Sequence, residues 1–296
     1  MANAPQPMKF ALYGLHRGSS VDPDVLRARA ARAEEAGFEG LWVGDHVALP
    51  LTAPDPADEP RLEALTALTW LAAATRTIGL GVGVLVLPQR QPVLLAKQLA
   101  SLDLLSGGRL TVGVAAGYVG AELRALGVAP EHRGAMTDEH IEAVRTLWVG
   151  GPQTFAGRWA AFAEVQQSPA PVQRPGQDRP GQDPRPGPPI VVGGHAPAAL
   201  RRAGTVGDGW FGWGLGPEEA AVAVAEVRRV AAEAGREPER LEITITPPAP
   251  LTVEAARRYA AVGVDRLVLL PDRFDGDEID RLVEDAAARL IGHVER

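Results

Sequence analysis

The chain reads as an α/β protein of the (β/α)8 TIM-barrel class, and three observations predict it. Eight short apolar runs alternate with segments of helical spacing along nearly the whole length. The runs are unbroken rather than alternating, as strands covered on both faces are. The stretch from Ile78 to Tyr118 then holds a complete crossover. An apolar run ends at Pro88. Val93, Leu94, Ala96, Leu99, Leu102 and Leu105 follow at helical spacing, Gly107 and Gly108 stop that helix, and a second apolar run spans Leu110–Val114. Parallel strands need a connection of this length. Both runs end in small residues, Gly81-Val82-Gly83 and Ala115-Ala116-Gly117, which leave room for a flat group at the carboxyl ends.

In order, Met1–Pro7 reads as a loose tail and Phe10–Leu15 as the first strand. Asp22–Ala36 is a helix, with Asp22 as its cap, Pro23 in its first turn and Gly37 as its stop. Leu41–Val43 is the second strand, and Gly44-Asp45-His46 sits at its end. A loop rich in Pro and Asp, Thr52–Pro60, precedes the helix Leu62–Ala74. After Tyr118 come a short helix from Gly120 to Leu126 and a longer one from Thr137 to Leu147, capped by Thr137 or Asp138. A small hairpin is indicated near Phe155 and Phe162. The later strands are Pro189–Val192, Gly209–Gly214, Leu241–Thr246 and Arg266–Leu270. The helices between and after them are Pro197–Ala203, Pro217–Ala234, Val253–Val262 and Ile279–Ile291. Arg174-Pro-Gly-Gln-Asp178 is repeated as Arg179-Pro-Gly-Gln-Asp183, without apolar content. Residues 173–188 are therefore expected to be a mobile insertion before the fifth strand, inside one domain spanning residues 1–296.

Composition narrows the function. There is no cysteine, so disulfides, thiolate catalysis and zinc–thiolate sites are excluded. The formal charge of −7 is spread along the chain, which argues against nucleic acid as a partner. The first residues carry neither a basic leader nor a long apolar region, and no apolar run is long enough to span a bilayer. The expectation is a cytoplasmic protein acting on a small molecule, with no metal: the histidines lack ligand spacing within any one element.

Six words in register carry a resemblance. They are Leu41-Trp-Val-Gly-Asp-His46, Gly83-Val-Leu-Val-Leu-Pro88, Pro92-Val-Leu-Leu-Ala-Lys-Gln98, Leu105-Ser-Gly-Gly-Arg-Leu110, Gly193-Gly-His-Ala-Pro-Ala-Ala-Leu200 and Gly207-Asp-Gly-Trp210. With them the chain resembles the luciferase-like flavin and deazaflavin oxidoreductases, in particular the branch that uses coenzyme F420. The resemblance implies hydride transfer between F420 and a small organic substrate, in a protein that is commonly a homodimer. Two alternatives stay open: an FMN-dependent monooxygenase on the same fold, and a non-catalytic flavin-binding protein.

The candidate site residues lie at strand ends, where barrel active sites form. Gly193-Gly194-His195 joins a strand to a helix start and is suited to an anion, since two glycines let amides converge beside a positive helix end. An ordinary Gly-Gly turn satisfies the same words. The resemblance makes this turn the holder of the coenzyme phosphate, with His195 assisting. It also implies that Asp45 hydrogen-bonds the coenzyme and that His46 does acid–base work, for which its ordinary pKa is suited. Gly83-Val84 is, by resemblance, a non-prolyl cis peptide behind the ring. Ala116 and Gly117 offer backbone amides, and otherwise read as tight packing. Tyr118 stands where sugar-phosphate dehydrogenases of the family have a glutamate, which counts against that activity. Trp213 and Arg273 are candidates for the substrate pocket. Trp210 and Trp213 would share a face only if a bulge separated them.

Overall fold

The computed structural model describes residues 7–53, 55–172 and 186–295. Eight parallel strands close into a barrel: β1 (Lys9–Tyr13), β2 (Gly40–Val43), β3 (Gly79–Val86), β4 (Leu110–Ala115), β7 (Ile190–Gly193), β8 (Gly209–Trp213), β9 (Glu242–Thr246) and β10 (Arg266–Leu269). Around the barrel the order is β1-β10-β9-β8-β7-β4-β3-β2, so each strand lies beside its sequence neighbour. The remaining two strands, β5 (Gln153–Ala156) and β6 (Ala161–Val165), form the expected hairpin, with Phe155 stacked on Phe162. The hairpin lies in the long β4-to-β7 connection.

The helices are α1 (Pro23–Glu35), α2 (Ala64–Ala74), α3 (Pro92–Leu105), α4 (Gly120–Ala125), α5 (Arg133–Trp148), α6 (Pro197–Val206), α7 (Pro217–Glu233), α8 (Val253–Ala261) and α9 (Glu278–Arg289). Local chemistry sets their starts. The Asp22 carboxylate accepts from the amides of Asp24 and Val25, as a cap should. Glu63 does the same for Thr66, and the Gln91 side chain for Leu94. α5 is a correction: it starts a turn before the expected Thr137 or Asp138. A 3-10 turn at Pro130–His132 runs straight into it, the Thr137 hydroxyl donates to the Arg133 carbonyl inside the helix, and Asp138 pairs with Arg202 instead. Pro7, expected in the loose tail, bridges to Glu295. The rest of that tail, and most of the 173–188 insertion with its repeat, lie outside the described residues. Among the described residues no helix is long and apolar enough to cross a membrane.

Alternation along the strands divides the core in two. Phe10, Leu12, Leu41, Leu80, Val112, Val192, Trp210, Ile243 and Leu267 face the helices. Ala11, Tyr13, Trp42, Val191, Phe211 and Val268 fill the lumen, where Trp42 stacks on Phe211 at 5.4 Å. Trp210 and Trp213 thus face opposite ways. The β8–β9 register from Gly209 to Trp213 is unshifted, so no bulge rotates one toward the other.

The lower end of the lumen is closed by charge. Arg266, 4 % exposed, donates two hydrogen bonds of 2.7 Å to Glu39, one of 3.1 Å to Thr244, and pairs with Glu242. Lys9 also reaches Glu242, at 2.9 Å. Burial pushes the Glu242 carboxyl up, but Arg266 and Lys9 outweigh it and bring its pKa down to about 2. A depressed folded-state pKa stabilises above the unfolded value and loses that contribution as pH falls toward the folded one. Arg266→Ala leaves Glu39 without its cation and Glu242 with Lys9 alone, and should cost about 3 kcal/mol in urea unfolding at neutral pH. The acid-dependent part of wild-type stability from Glu242 should disappear between pH 4.5 and about 2. A loss below about 1 kcal/mol in Arg266→Ala would contradict this reading, being what a solvent-screened surface pair gives.

Candidate active site

The upper mouth of the barrel gathers most of the expected residues, and the β3 bulge is at its centre. Val82 pairs with Val112 and Leu85 with Val114, so β3 carries one residue more than β4 across this interval. Within it the Gly83–Val84 peptide is cis. The Val84 side chain projects toward β7 so closely that a Cβ on Gly193 would lie 2.8 Å from its Cγ1. Gly193 therefore has to be glycine for the bulge and the next turn to touch.

Asp45 anchors this bulge. It is 5 % exposed, accepts from the Val86 amide at 2.9 Å, and pairs with Arg90 at 2.5 Å. Burial pushes its carboxyl up, against the guanidinium and the amide that favour the charged form. Arg90 also reaches Glu63, the cap of α2, at 3.0 Å. Both Asp45 oxygens are thus engaged by protein groups rather than left open to the mouth.

The anion turn follows β7. Gly194 adopts a φ of +116°, a left-handed backbone that a side chain would strain. Gly194 and His195 are exposed, and α6 begins two residues later with no acidic residue in its first turn and no side chain capping it. β8 fixes the turn from behind: the Trp210 indole donates to the Gly194 carbonyl at 2.9 Å, and the Trp213 amide donates to His195 Nε2 at 3.0 Å. An Nε2 that accepts requires a neutral ring with its proton on Nδ1. His195 therefore presents an N–H donor, and the turn needs no cationic histidine to receive an anion.

His46 sits across the mouth. Its Nδ1 lies 3.1 Å from Glu122 on α4, and its Nε2 lies 3.3 Å from the Tyr118 hydroxyl. Glu122 is 2 % exposed and also accepts from the amides of Val47 and Ala48, at 2.6 and 3.0 Å. Burial would raise the Glu122 carboxyl, but the His46 ring and these amides hold it below the usual carboxylate range. An ionised Glu122 fixes the His46 proton on Nδ1, leaving the Nε2 lone pair toward Tyr118. The phenol of Tyr118 is pushed up by partial burial and by the negative charges of Asp55 and Glu122, so it stays a donor.

The other candidates separate. Ala116 and Gly117 lie half-buried beyond β4, under Tyr118. Trp213 is 44 % exposed and meets Tyr13 edge-on at 5.2 Å, in the mouth. Arg273 points to solvent and pairs with Asp275. Glu59, in the loop before α2, is tied to the rim, because Arg17 and Arg61 both bind it, at 2.7 and 2.9 Å. Glu122, Arg90, Tyr13 and His16 were not among the sequence candidates. Glu122 is 76 positions from its partner His46, on a six-residue helix, and no spacing rule joins the two.

The profile of the luciferase-like monooxygenase family matches residues 8–288. The chain belongs to this family. Its structural neighbours include oxidoreductases and monooxygenases. An uncharacterised protein of Mycobacterium tuberculosis is 33% identical over 252 residues, covering 81% of this chain and 82% of its own length. An FMNH2-dependent dimethylsulfone monooxygenase of Pseudomonas putida is 31% identical over 244 residues, covering 78% of this chain and 62% of its own. Among solved structures, an F420-dependent secondary alcohol dehydrogenase in complex with an F420–acetone adduct superposes with a TM-score of 0.80 at 17% identity, covering 98% of this chain and 100% of its own.

The anchor gives a prediction separable from chemistry. Asp45→Ala strips the buried Arg90 of one carboxylate and the Val86 amide of its acceptor, with Glu63 left as partial relief. The expected loss is at the lower end of ~3–5 kcal/mol in denaturant unfolding. An unchanged unfolding midpoint would mean that Asp45 does not hold the bulge.

Proposed function

We propose that the protein is an F420-dependent oxidoreductase that moves a hydride between the deazaflavin and a small organic substrate. The observation that carries this reading is the Glu122–His46–Tyr118 chain at the mouth, beside the bulge and opposite the anion turn. The residues suit such a coenzyme. Gly194 and His195 would take its phosphate at the exposed turn and through the Nδ1–H of a neutral imidazole, with Gly193 buried beneath them at the end of β7. Gly83 and Val84 would back its ring, with Ala116, Gly117 and Tyr118 beside it, and Asp45 would hold that backing rather than touch the coenzyme. When bound, the coenzyme supplies or accepts the hydride.

The protein's own contribution is the proton. Reduction of a C=O, C=N or C=C bond by hydride leaves an anion that must be protonated, and alcohol oxidation needs the reverse transfer. His46 Nε2 is the atom that exchanges this proton, giving it up from the imidazolium in reduction and taking it as the neutral ring in oxidation, directly or through the Tyr118 hydroxyl at 3.3 Å. Glu122 keeps the ring oriented and stabilises the imidazolium when it forms. Trp213 closes the mouth with an apolar face. The likeness to an FMNH2-dependent monooxygenase supports a second reading, in which the same bulge and anion turn hold reduced FMN.

Two variants test the proton path. With reduced F420 and a substrate that turns over, His46→Ala should lower kcat by about 100-fold or more, within the range of general acid–base contributions. Glu122→Gln should lower it by about 10-fold, because the carboxamide presents no carboxylate to the imidazolium. Coenzyme affinity should stay within about twofold in both, since neither residue is assigned to the phosphate turn. Full activity of His46→Ala would sink the assignment.

A further inference from the structure

We propose that the Tyr13 hydroxyl is the hydrogen-bond donor that receives an oxygen atom of the substrate, which makes carbonyl and alcohol compounds the substrate class. The inference rests on the oxidoreductase reading above and narrows it. Tyr13 ends β1 and points into the lumen at its upper layer, where it is 6 % exposed. Its ring is held on three sides, edge-on to His16 at 5.4 Å, to Trp213 at 5.2 Å and to Phe274 at 6.2 Å. The hydroxyl lies over Gly44, so close that a Cβ there would be 2.1 Å away. Gly44 is thus the glycine that leaves space for this phenol.

Among the described residues the hydroxyl has no hydrogen-bond partner, yet it is not one of the sealed polar atoms. The hydroxyl is thus free of protein partners and reachable from the mouth, where a ligand or water can complete its hydrogen bond. The His16 ring nitrogen that lies over the same glycine is already used. His16 Nε2 accepts from the Gly44 amide at 3.1 Å, and burial with Arg17 and Arg61 nearby keeps that ring neutral, with its pKa lowered to about 3. Tyr13 itself stays protonated, since burial raises its pKa well above the ordinary phenol value. What the mouth presents here is therefore a fixed neutral donor between Trp213 and His16. A fixed donor left unpaired discriminates strongly against ligands that lack an acceptor. Oxygen-bearing substrates pair with it, whereas an isolated C=C bond leaves it bare.

The test compares wild type and Tyr13→Phe in three measurements on the whole protein. Binding of F420 and of FMN, followed by coenzyme fluorescence, reports on the coenzyme reading alone. Thermal unfolding of the coenzyme-free protein reports on any structural role. Ligand-detected NMR then compares cyclohexanone and cyclohexanol with methylenecyclohexane and methylcyclohexane, with and without the coenzyme that binds. The wild type should prefer the oxygen-bearing member of each pair by about tenfold, the value of one net hydrogen bond. Tyr13→Phe should reduce the preference to about twofold or less, leave coenzyme affinity unchanged, and unfold at the same or a higher temperature, since it deletes an unpaired polar group. A preference that survives in Tyr13→Phe, or its absence in the wild type, would overturn the proposal. So would a variant that melts lower by more than about 5 °C with its preference intact, which is the mark of a structural hydroxyl.

Discussion

The upper half of the barrel depends on the carboxylate of Asp45. It joins the end of β2 to the far side of the β3 bulge through the Val86 amide, and to the start of the α2 layer through Arg90 and Glu63. That single group fixes the separation of two things the site needs: the Gly83–Val84 wall on one strand and His46 beside it on another. The next constraint is Gly193, whose missing side chain lets Val84 approach β7. The wall and the anion turn therefore cannot move independently. A ligand that fits one is placed by the other, an arrangement that suits the long, flat coenzyme proposed for this mouth.

Charge is distributed between the two ends of the lumen with different purposes. At the lower end Arg266, Glu39, Glu242 and Lys9 are paired with one another. At the upper end some polar groups are paired and others are left with capacity to spare. Glu122 is saturated and His46 Nε2 is met by the Tyr118 hydroxyl, while among the described residues the Tyr13 hydroxyl has no protein partner. Stability below and unfinished hydrogen bonding above is the division expected where the C-terminal ends of strands carry chemistry.

The barrel was legible because parallel strands buried on both faces leave unbroken apolar runs, and all eight runs found a strand within a residue or two. The crossover from Ile78 to Tyr118 was legible for the same reason, with glycines marking its turn. Less legible was anything set by pairing across the chain. The start of α5 moved because a Pro130 turn feeds it directly, and Asp138, a plausible cap by type, was taken by Arg202, 64 positions away. Glu122 looks like any acid on a short helix until the fold brings it to His46. Tyr13 looks like one more apolar strand residue until its hydroxyl is found without a partner. Asp45 was recognised by its place at a strand end, whereas its contacts with Val86 and Arg90 are visible only in the fold.

The central claim is that the bulge and the anion turn form one coenzyme cradle, and that the coenzyme is the deazaflavin. The most direct measurement is titration of the purified protein with F420 and, separately, with FMN, following coenzyme fluorescence, in wild type and in Gly193→Val. The account predicts saturable binding of F420 that is at least about tenfold tighter than that of FMN, and loss of binding in the variant, whose side chain would collide with Val84. Tight binding of FMN alone would contradict the choice of coenzyme. Undiminished F420 binding by Gly193→Val would contradict the cradle itself.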